Sequence, residues 1–350
     1  MTGLEPVRCG TIACVRRNKN RTKTKTLKFL VGRSQTKGYY RHKWQTTLGV
    51  GSQQVCYNIN MNKLHIPVLL SEVLDVLQPQ SGENYLDLTA GYAGHASEIL
   101  DVTQQYKTSV LCDRDDFAID YLRKKFASTD ITIMKSDFCS AVWQLYDSGA
   151  TFDIILADFG VSSPQLDNPE RGFSLIHDGP LDMRMDQTQI LTADTVVNKW
   201  RREDLAEIFQ KYGEISPGLS QKYAREIVYG RPWNSTLELA DAKFWGRRGR
   251  THPATRVFQA IRIAVNDELG EIERTLPALP KLLKPGGRVA IISFHSLEDR
   301  LVKQFFKNES TLGEESELEI LTKKPVTAGD VELGINPRAR SAKLRAAKRM

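Results

Sequence analysis

The sequence predicts an α/β fold: a doubly wound, mostly parallel sheet interrupted by a helical insertion. Three observations predict it. Short apolar strand patterns alternate with helical ones from residue 85 to about 159. Within that run, LDLTAGYAGHASEIL (residues 86–100) reads as a strand, a glycine turn and a helix start. The alternation then stops near residue 166 and resumes near 252. A βαβα rhythm of this kind implies parallel strands with helices on both faces.

The chain's 350 residues exceed one modal domain and can bury a sizeable core. No apolar run approaches the roughly 18 residues of a membrane span. The five cysteines (Cys9, Cys14, Cys56, Cys112, Cys139) form no CxxC pair and no zinc-like spacing, which suits reduced thiols in a cytosol-like compartment. The net charge of +7 hides a division. Residues 1–60 hold 12 Lys/Arg against Glu5 alone, and residues 336–350 hold six basic residues and no acid, so the body between them is at −10. Basic ends on an acidic body suit a polyanion partner, and solvated tails alone give the same numbers.

Residues 1–60 lack sustained apolar periodicity and are expected to be disordered or foreign to the native chain. Three readings compete: an RNA-binding arm, an organellar transit peptide, or upstream sequence read from a wrong start codon. Only Ser34 and Ser52 occur there, against the Ser-rich expectation for transit, and the abrupt change at Met61 favours a start at that residue.

From Met61, MNKLHIPVLLSEVLDVL gives an entry segment and an apolar helix. YLDLT is the first strand and AGHASEILD its helix; TSVLCD is the second, followed by a helix with Ala118, Ile119, Leu122 and Phe126 on one face. ITIMKSD, FCSAVWQLY and FDIILADF read as strand, helix and strand. Residues 166–251 form the insertion, with helical patches at Leu205, Ile208, Phe209 and Tyr212 and around Tyr223, Ile227 and Val228. The second core part, 252–350, opens on HPATRVFQAIRIAVNDELGEIERTL, whose Val257, Phe258, Ile261, Val265, Leu269, Ile272 and Leu276 share one stripe. KPGGRVAIISFH then gives a turn and a buried strand, and LEILTKK and AKLRAAKR are short strand candidates.

A glycine turn after a strand is by itself only a βα connection. Asp113 adds to it: an acid ending the second strand, 22 residues after Gly91, suits the ribose hydroxyls of a dinucleotide or of S-adenosylmethionine. Asp115 or Asp116 fits better as a helix N-cap. The turn is GYAG and not GxGxxG, with His95 where a pyrophosphate wants small backbone, which weakens a nicotinamide reading. Ligands of open α/β sheets sit beyond the strand carboxyl ends at the switch point, where Asp158 of LADFGVSSPQLD lies beside Gly160 and Ser162. Asp158 faces cofactor and substrate there, or else braces the loop.

HIPVLLSEVL, the DxTxGxxGH turn (Asp87 to His95), DFGVSSPQLD, ERGFS, DGPLDMRMD, HPATRVFQAIRIAVNDEL, PGGRVAIISFHSLEDR and NPRARSAKLR together resemble one family. It is the S-adenosylmethionine-dependent methyltransferases of N4 of a decoding-centre cytosine in small-subunit (16S) ribosomal RNA. The likeness runs from about residue 64 to 348 and leaves residues 1–60 untouched. It implies a Rossmann-like methyltransferase core, the small ribosomal subunit as partner, no metal, a cytoplasmic setting, and an oligomeric state left open, a homodimer included. It also implies cofactor contacts at Ala93, Gly94, His95, Asp113, Phe138, Asp158 and Gln165. Ala93 departs from the family's glycine, Ala96 from a serine and Phe159 from a leucine, and YGEISPGLSQKYAREIV replaces a more basic run. The Ala93 change is mild if its φ is negative and costly if positive.

The exocyclic amine of cytosine is conjugated with the ring and nucleophilically poor. A site must draw it toward tetrahedral geometry in line with the methyl. Asp158 is the expected catalytic acceptor of the amine hydrogens, with a neighbouring loop carbonyl as the alternative, and Phe159 or Phe173 could stack on the base. Ser296 with Asp299 fits a capping box, while His295 could reach the cavity from beside strand four. Arg247, Arg248, Arg250 and Arg256, with Arg338, Arg340 and Arg345, suit RNA phosphates or a solvated basic surface. The competing readings are an assembly factor that keeps the fold without transfer, and a nicotinamide oxidoreductase.

Overall fold

The central strands of the body are buried almost continuously, with alternate residues joining opposite cores, so the sheet has a core on each face. In the computed structural model, which describes residues 11–13, 26–28, 67–160, 163–246, 252–311 and 316–350, the chain divides into units 1–64 and 65–350. In the first unit Thr11–Ala13 and Thr26–Lys28 pair antiparallel; the other expectations for residues 1–60 lie outside the described residues.

The second unit carries β1 (Tyr85–Asp87), β2 (Val110–Asp113), β3 (Thr132–Lys135), β4 (Phe152–Asp158), β5 (Leu283–Ser293), β6 (Leu318–Ile320) and β7 (Lys343–Arg349). Among the described residues these form one sheet in the order β3-β2-β1-β4-β5-β7-β6. β1 to β5 are mutually parallel, and β7 runs antiparallel between β5 and β6. The order reverses between β1 and β4, the switch point where ligands of such sheets bind.

Successive strand residues point to opposite faces. Ile154, Leu156, Ala290 and Ile292 join a core with the helices Leu70–Leu77, Gly94–Thr103 and Asp116–Lys125. Ile155, Ala157, Val289 and Ile291 join the opposite core with Phe138–Asp147, Glu268–Thr275 and Ser296–Glu309. A third core lies among the helices Ala193–Lys199, Arg202–Lys211, Pro217–Tyr229 and Ala254–Asn266.

The single stripe expected from Val257 to Leu276 is two helices, broken at Asp267 with φ 48°. Its first half, Val257, Phe258, Ile261 and Val265, packs in the third core, and Ile272 and Leu276 pack under the sheet. Asn266 fixes the break. Its side chain accepts the Met185 N–H at 2.8 Å and donates to the Met183 carbonyl at 2.8 Å, tying the helix end to the insertion.

Candidate active site

The segments that follow β1 to β5 line one cleft of about 360 Å³, within the usual small-ligand range of roughly 300–1,000 Å³. Its β1 wall is the glycine turn. Gly91 and Ala93 both adopt the left-handed region, with φ 49° and 57°. Ala93 is fully buried, caps the helix Gly94–Thr103 and does not line the cleft. Because its φ is positive, alanine there carries the costly form of the departure, about 1–2 kcal/mol for an L-residue. Gly94 and His95 do line the cleft. A Cβ on Gly94 would lie 3.0 Å from the Pro67 side chain, so this glycine admits the entry segment against the turn. His95 belongs to the same junction: its Nε2 donates to the Val68 carbonyl at 2.9 Å.

On the β2 wall, Asp113 accepts the Gly91 N–H at 2.8 Å and the Asp115 N–H at 2.9 Å. Burial pushes its carboxyl up, and those two N–H groups oppose the rise. A carboxylate has about four acceptor positions, so two stay open toward hydroxyl groups. Asp115 is the N-cap of the next helix, as expected for one of the two acids. It also accepts Gln165 Nε2 at 2.7 Å and Arg171 Nη1 at 2.8 Å. Arg171 in turn donates to the Arg184 and Met185 carbonyls. Gln165 is thereby brought to the cleft beside Asp113, and Arg171 is a partner that sequence reasoning missed. Its motif, ERGFS, was in view, but nothing local pairs it with an acid 56 positions earlier. Phe138, after β3, lines the cleft with its ring 5.3 Å from that of Phe159.

Asp158 ends β4, held by its own N–H, which donates to Thr89 Oγ1 at 2.6 Å. Its Oδ2 lies 4.0 Å from His95 Nδ1, and its Oδ1 is buried with no hydrogen-bond partner. Burial first, then the charges of Asp87 and Glu298, push its carboxyl well above the usual range. Asp87, behind it, accepts the Tyr85 hydroxyl at 2.7 Å, and burial raises it to about 7. Glu298 is kept low instead: burial opposes its charge, but His295, Arg262 and the Phe294 N–H outweigh that. Neighbouring carboxyls pushed apart in this way are a common acid/base arrangement.

Several expected roles need correction. The capping box over Ser296–Glu309 is made by His295 and Glu298, one residue earlier than Ser296 with Asp299. Ser296 instead contacts Glu214, and Asp299 holds Arg345 at 2.6 Å and Lys343 at 3.2 Å. Arg345 is therefore a buried structural cation, and Arg338 pairs with Asp167 at 2.6 Å; of Arg338, Arg340 and Arg345 only Arg340 is exposed with no acid paired to it among the described residues. Arg256 is exposed and donates to the Glu214 carbonyl, while Arg247, Arg248, Arg250 and Ser162 lie outside the described residues. Phe159 and Phe173 are core residues at 1% and 8% exposure, and Phe173 does not line the cleft. Ligand-type atoms of Glu268, His295 and Glu298 fall within 4.8 Å of one another, but Glu268 is taken up by the Arg262 fork and His295 Nδ1 by the Glu298 N–H.

The family model of the MraW methylase family matches residues 62–350. The chain belongs to that family. Among its relatives, the protein named ribosomal RNA small subunit methyltransferase H of Trichormus variabilis is 47% identical, covering 81% of this chain and 92% of its own length. The protein of the same name in Trichodesmium erythraeum is 48% identical, covering 82% of this chain and 99% of its own. A solved rRNA methylase of Streptococcus thermophilus aligns at 7% identity and a TM-score of 0.37, over 80% of this chain and 93% of that one, too distant to carry detail. As a MraW methylase this chain is an enzyme, and S-adenosylmethionine is its methyl donor. The cleft fits that group: it has room and, after β2, an acid with acceptor positions open toward hydroxyl groups. No helix among the described residues is long and apolar enough to cross a membrane.

Proposed function

We propose that this chain transfers a methyl group to N4 of a cytosine in the decoding centre of small-subunit (16S) ribosomal RNA. The observation that carries the reading is kinship: relatives bearing the small-subunit methyltransferase name match at 47–48% identity over 92–99% of their own length. On this reading Asp113 takes the ribose hydroxyls. Gly94, His95 and Gln165 border the amino-acid tail, Phe138 borders the adenine, and Ala93 acts only by shaping the turn. Bound S-adenosylmethionine supplies a methyl group activated on a sulfonium, whose departure leaves a neutral thioether.

Asp158 is the catalytic residue. Its orphaned oxygen accepts an amine N–H as N4 becomes tetrahedral, and in its carboxylate form it takes the one proton that N4 must lose. The target base reaches it single-stranded or extruded, since pairing hides the amine. We assign residues 166–251 to RNA recognition and the cytosol to the site of action. The test is to map N4-methylcytosine in small-subunit RNA from cells with and without the gene, and to restore it in isolated subunits with purified protein. Unmodified RNA after such treatment would leave a fold-retaining assembly factor as the better reading.

A further inference from the structure

We propose that Phe294 is the ring on which the target cytosine stacks, placed to hold the base against the strand end that carries Asp158. The inference rests on the cytosine reading above. Transfer to a conjugated amine requires the base plane to be fixed, and stacking on an aromatic face does this for single-stranded bases. The cleft offers four rings at strand ends. Phe138 and Tyr92 lie on the β1–β3 side and are each set against another ring, Phe159 at 5.3 Å and Tyr121 at 5.2 Å. Phe159 is 1% exposed and packs in the sheet core. Phe294 alone follows β5, on the Asp158 side, and it is only partly buried.

Two further contacts place this ring. Gly160, two residues past Asp158, has φ 121°, and a Cβ there would lie 3.1 Å from Phe294 Cδ2. The ring therefore edges the loop leaving the catalytic acid, and glycine is what lets them approach. Its mount is rigid. The Phe294 N–H donates to Glu298 Oε2 at 2.7 Å, and the His295 N–H to the same oxygen at 3.1 Å. The capping box of His295 and Glu298 closes the turn, so the ring is held by packing and hydrogen bonds, as a positioned site requires. This gives the buried Glu298 a use beyond its charge.

Phe294→Leu and Phe294→Tyr test the proposal in single-turnover methylation of small subunits from cells lacking the gene, with S-adenosylmethionine binding measured by calorimetry. The leucine variant should bind cofactor as the wild type does and methylate roughly ten- to hundred-fold more slowly, as expected for one lost base stack. Tyrosine should restore most of the rate. If the leucine variant does not fold, Phe294→Met serves the same comparison. A wild-type rate without the ring, loss of cofactor binding together with rate, or a folded tyrosine variant with no rescue each overturns the assignment. A wild-type protein that left N4 unmodified would instead overturn the cytosine reading before any variant is compared.

Discussion

On the β1–β3 side of the cleft, Asp113 is held by main chain, its oxygens taking the N–H groups of Gly91 and Asp115. On the β4–β5 side, Asp158 and Glu298 are set by charge, the one pushed up by burial and acid neighbours, the other held down against burial by His295 and Arg262. Backbone donors come with the turn and keep their strength whatever the pH. Side-chain charges depend on partners elsewhere in the chain and shift with their protonation. The first arrangement suits a ligand that is the same in every turnover, the second a proton that must move.

The largest effect expected from breaking this contrast is at Asp158. Asp158→Asn should slow single-turnover methylation by about a hundred-fold or more, in the range of general acid–base groups, while cofactor affinity holds. Loss of cofactor binding in calorimetry would move Asp158 to the cofactor side. Gly94→Val is a poorer probe of that side, because its first clash is with Pro67.

Next in size is the bridge between the cofactor wall and the insertion. Arg171→Met leaves Asp115 buried without its cation, and chemical denaturation should show a loss of about 3–5 kcal/mol. Arg345→Ala should likewise cost stability through Asp299 and leave the salt dependence of RNA binding unchanged. Arg340→Ala should lower that salt slope by about one phosphate contact. A change in slope from Arg345→Ala would return that residue to the RNA surface.

A smaller effect sharpens the backbone side. Ala93→Gly removes the left-handed strain and adds chain entropy to the unfolded state, for a net gain of up to about 1 kcal/mol by thermal or denaturant unfolding. Destabilisation would mean that the alanine methyl's packing outweighs its φ.

The smallest is a pH slope. Burial raises Asp87 and Glu271 each to about 7, above their unfolded values. Stability from such groups is complete below the ordinary carboxylate range and is lost as pH rises through about 7. The unfolding temperature should therefore fall from pH 5 to 8, and Glu271→Gln should flatten part of that fall. An identical slope in the variant would remove Glu271 from the account.

Strand and helix periods, the acid at the end of β2, the Asp115 cap and the two C-terminal strands were legible because each depends on residues a few positions apart. The stripe across Asp267 misled because one apolar period served two cores, and no local signal says which core a turn of helix will face. The capping box was missed by one residue because a histidine nitrogen can replace the usual hydroxyl.

The sequence by itself determined the alternation that makes a parallel sheet, the glycine turn after β1 and the carboxylates at the strand ends, since side-chain period and turn chemistry act over short spans of chain. Tertiary structure alone decided which charges were free. Arg345 meets Asp299, Arg171 meets Asp115 and Arg338 meets Asp167 across 46, 56 and 171 positions, and two of these pairs, at Arg345 and Arg338, take up apparent RNA contacts. It also decided the proton affinity of Asp158 and the exposure of Phe294. Both depend on how closely distant segments pack and how much water they exclude, and those quantities exist only once the chain has folded.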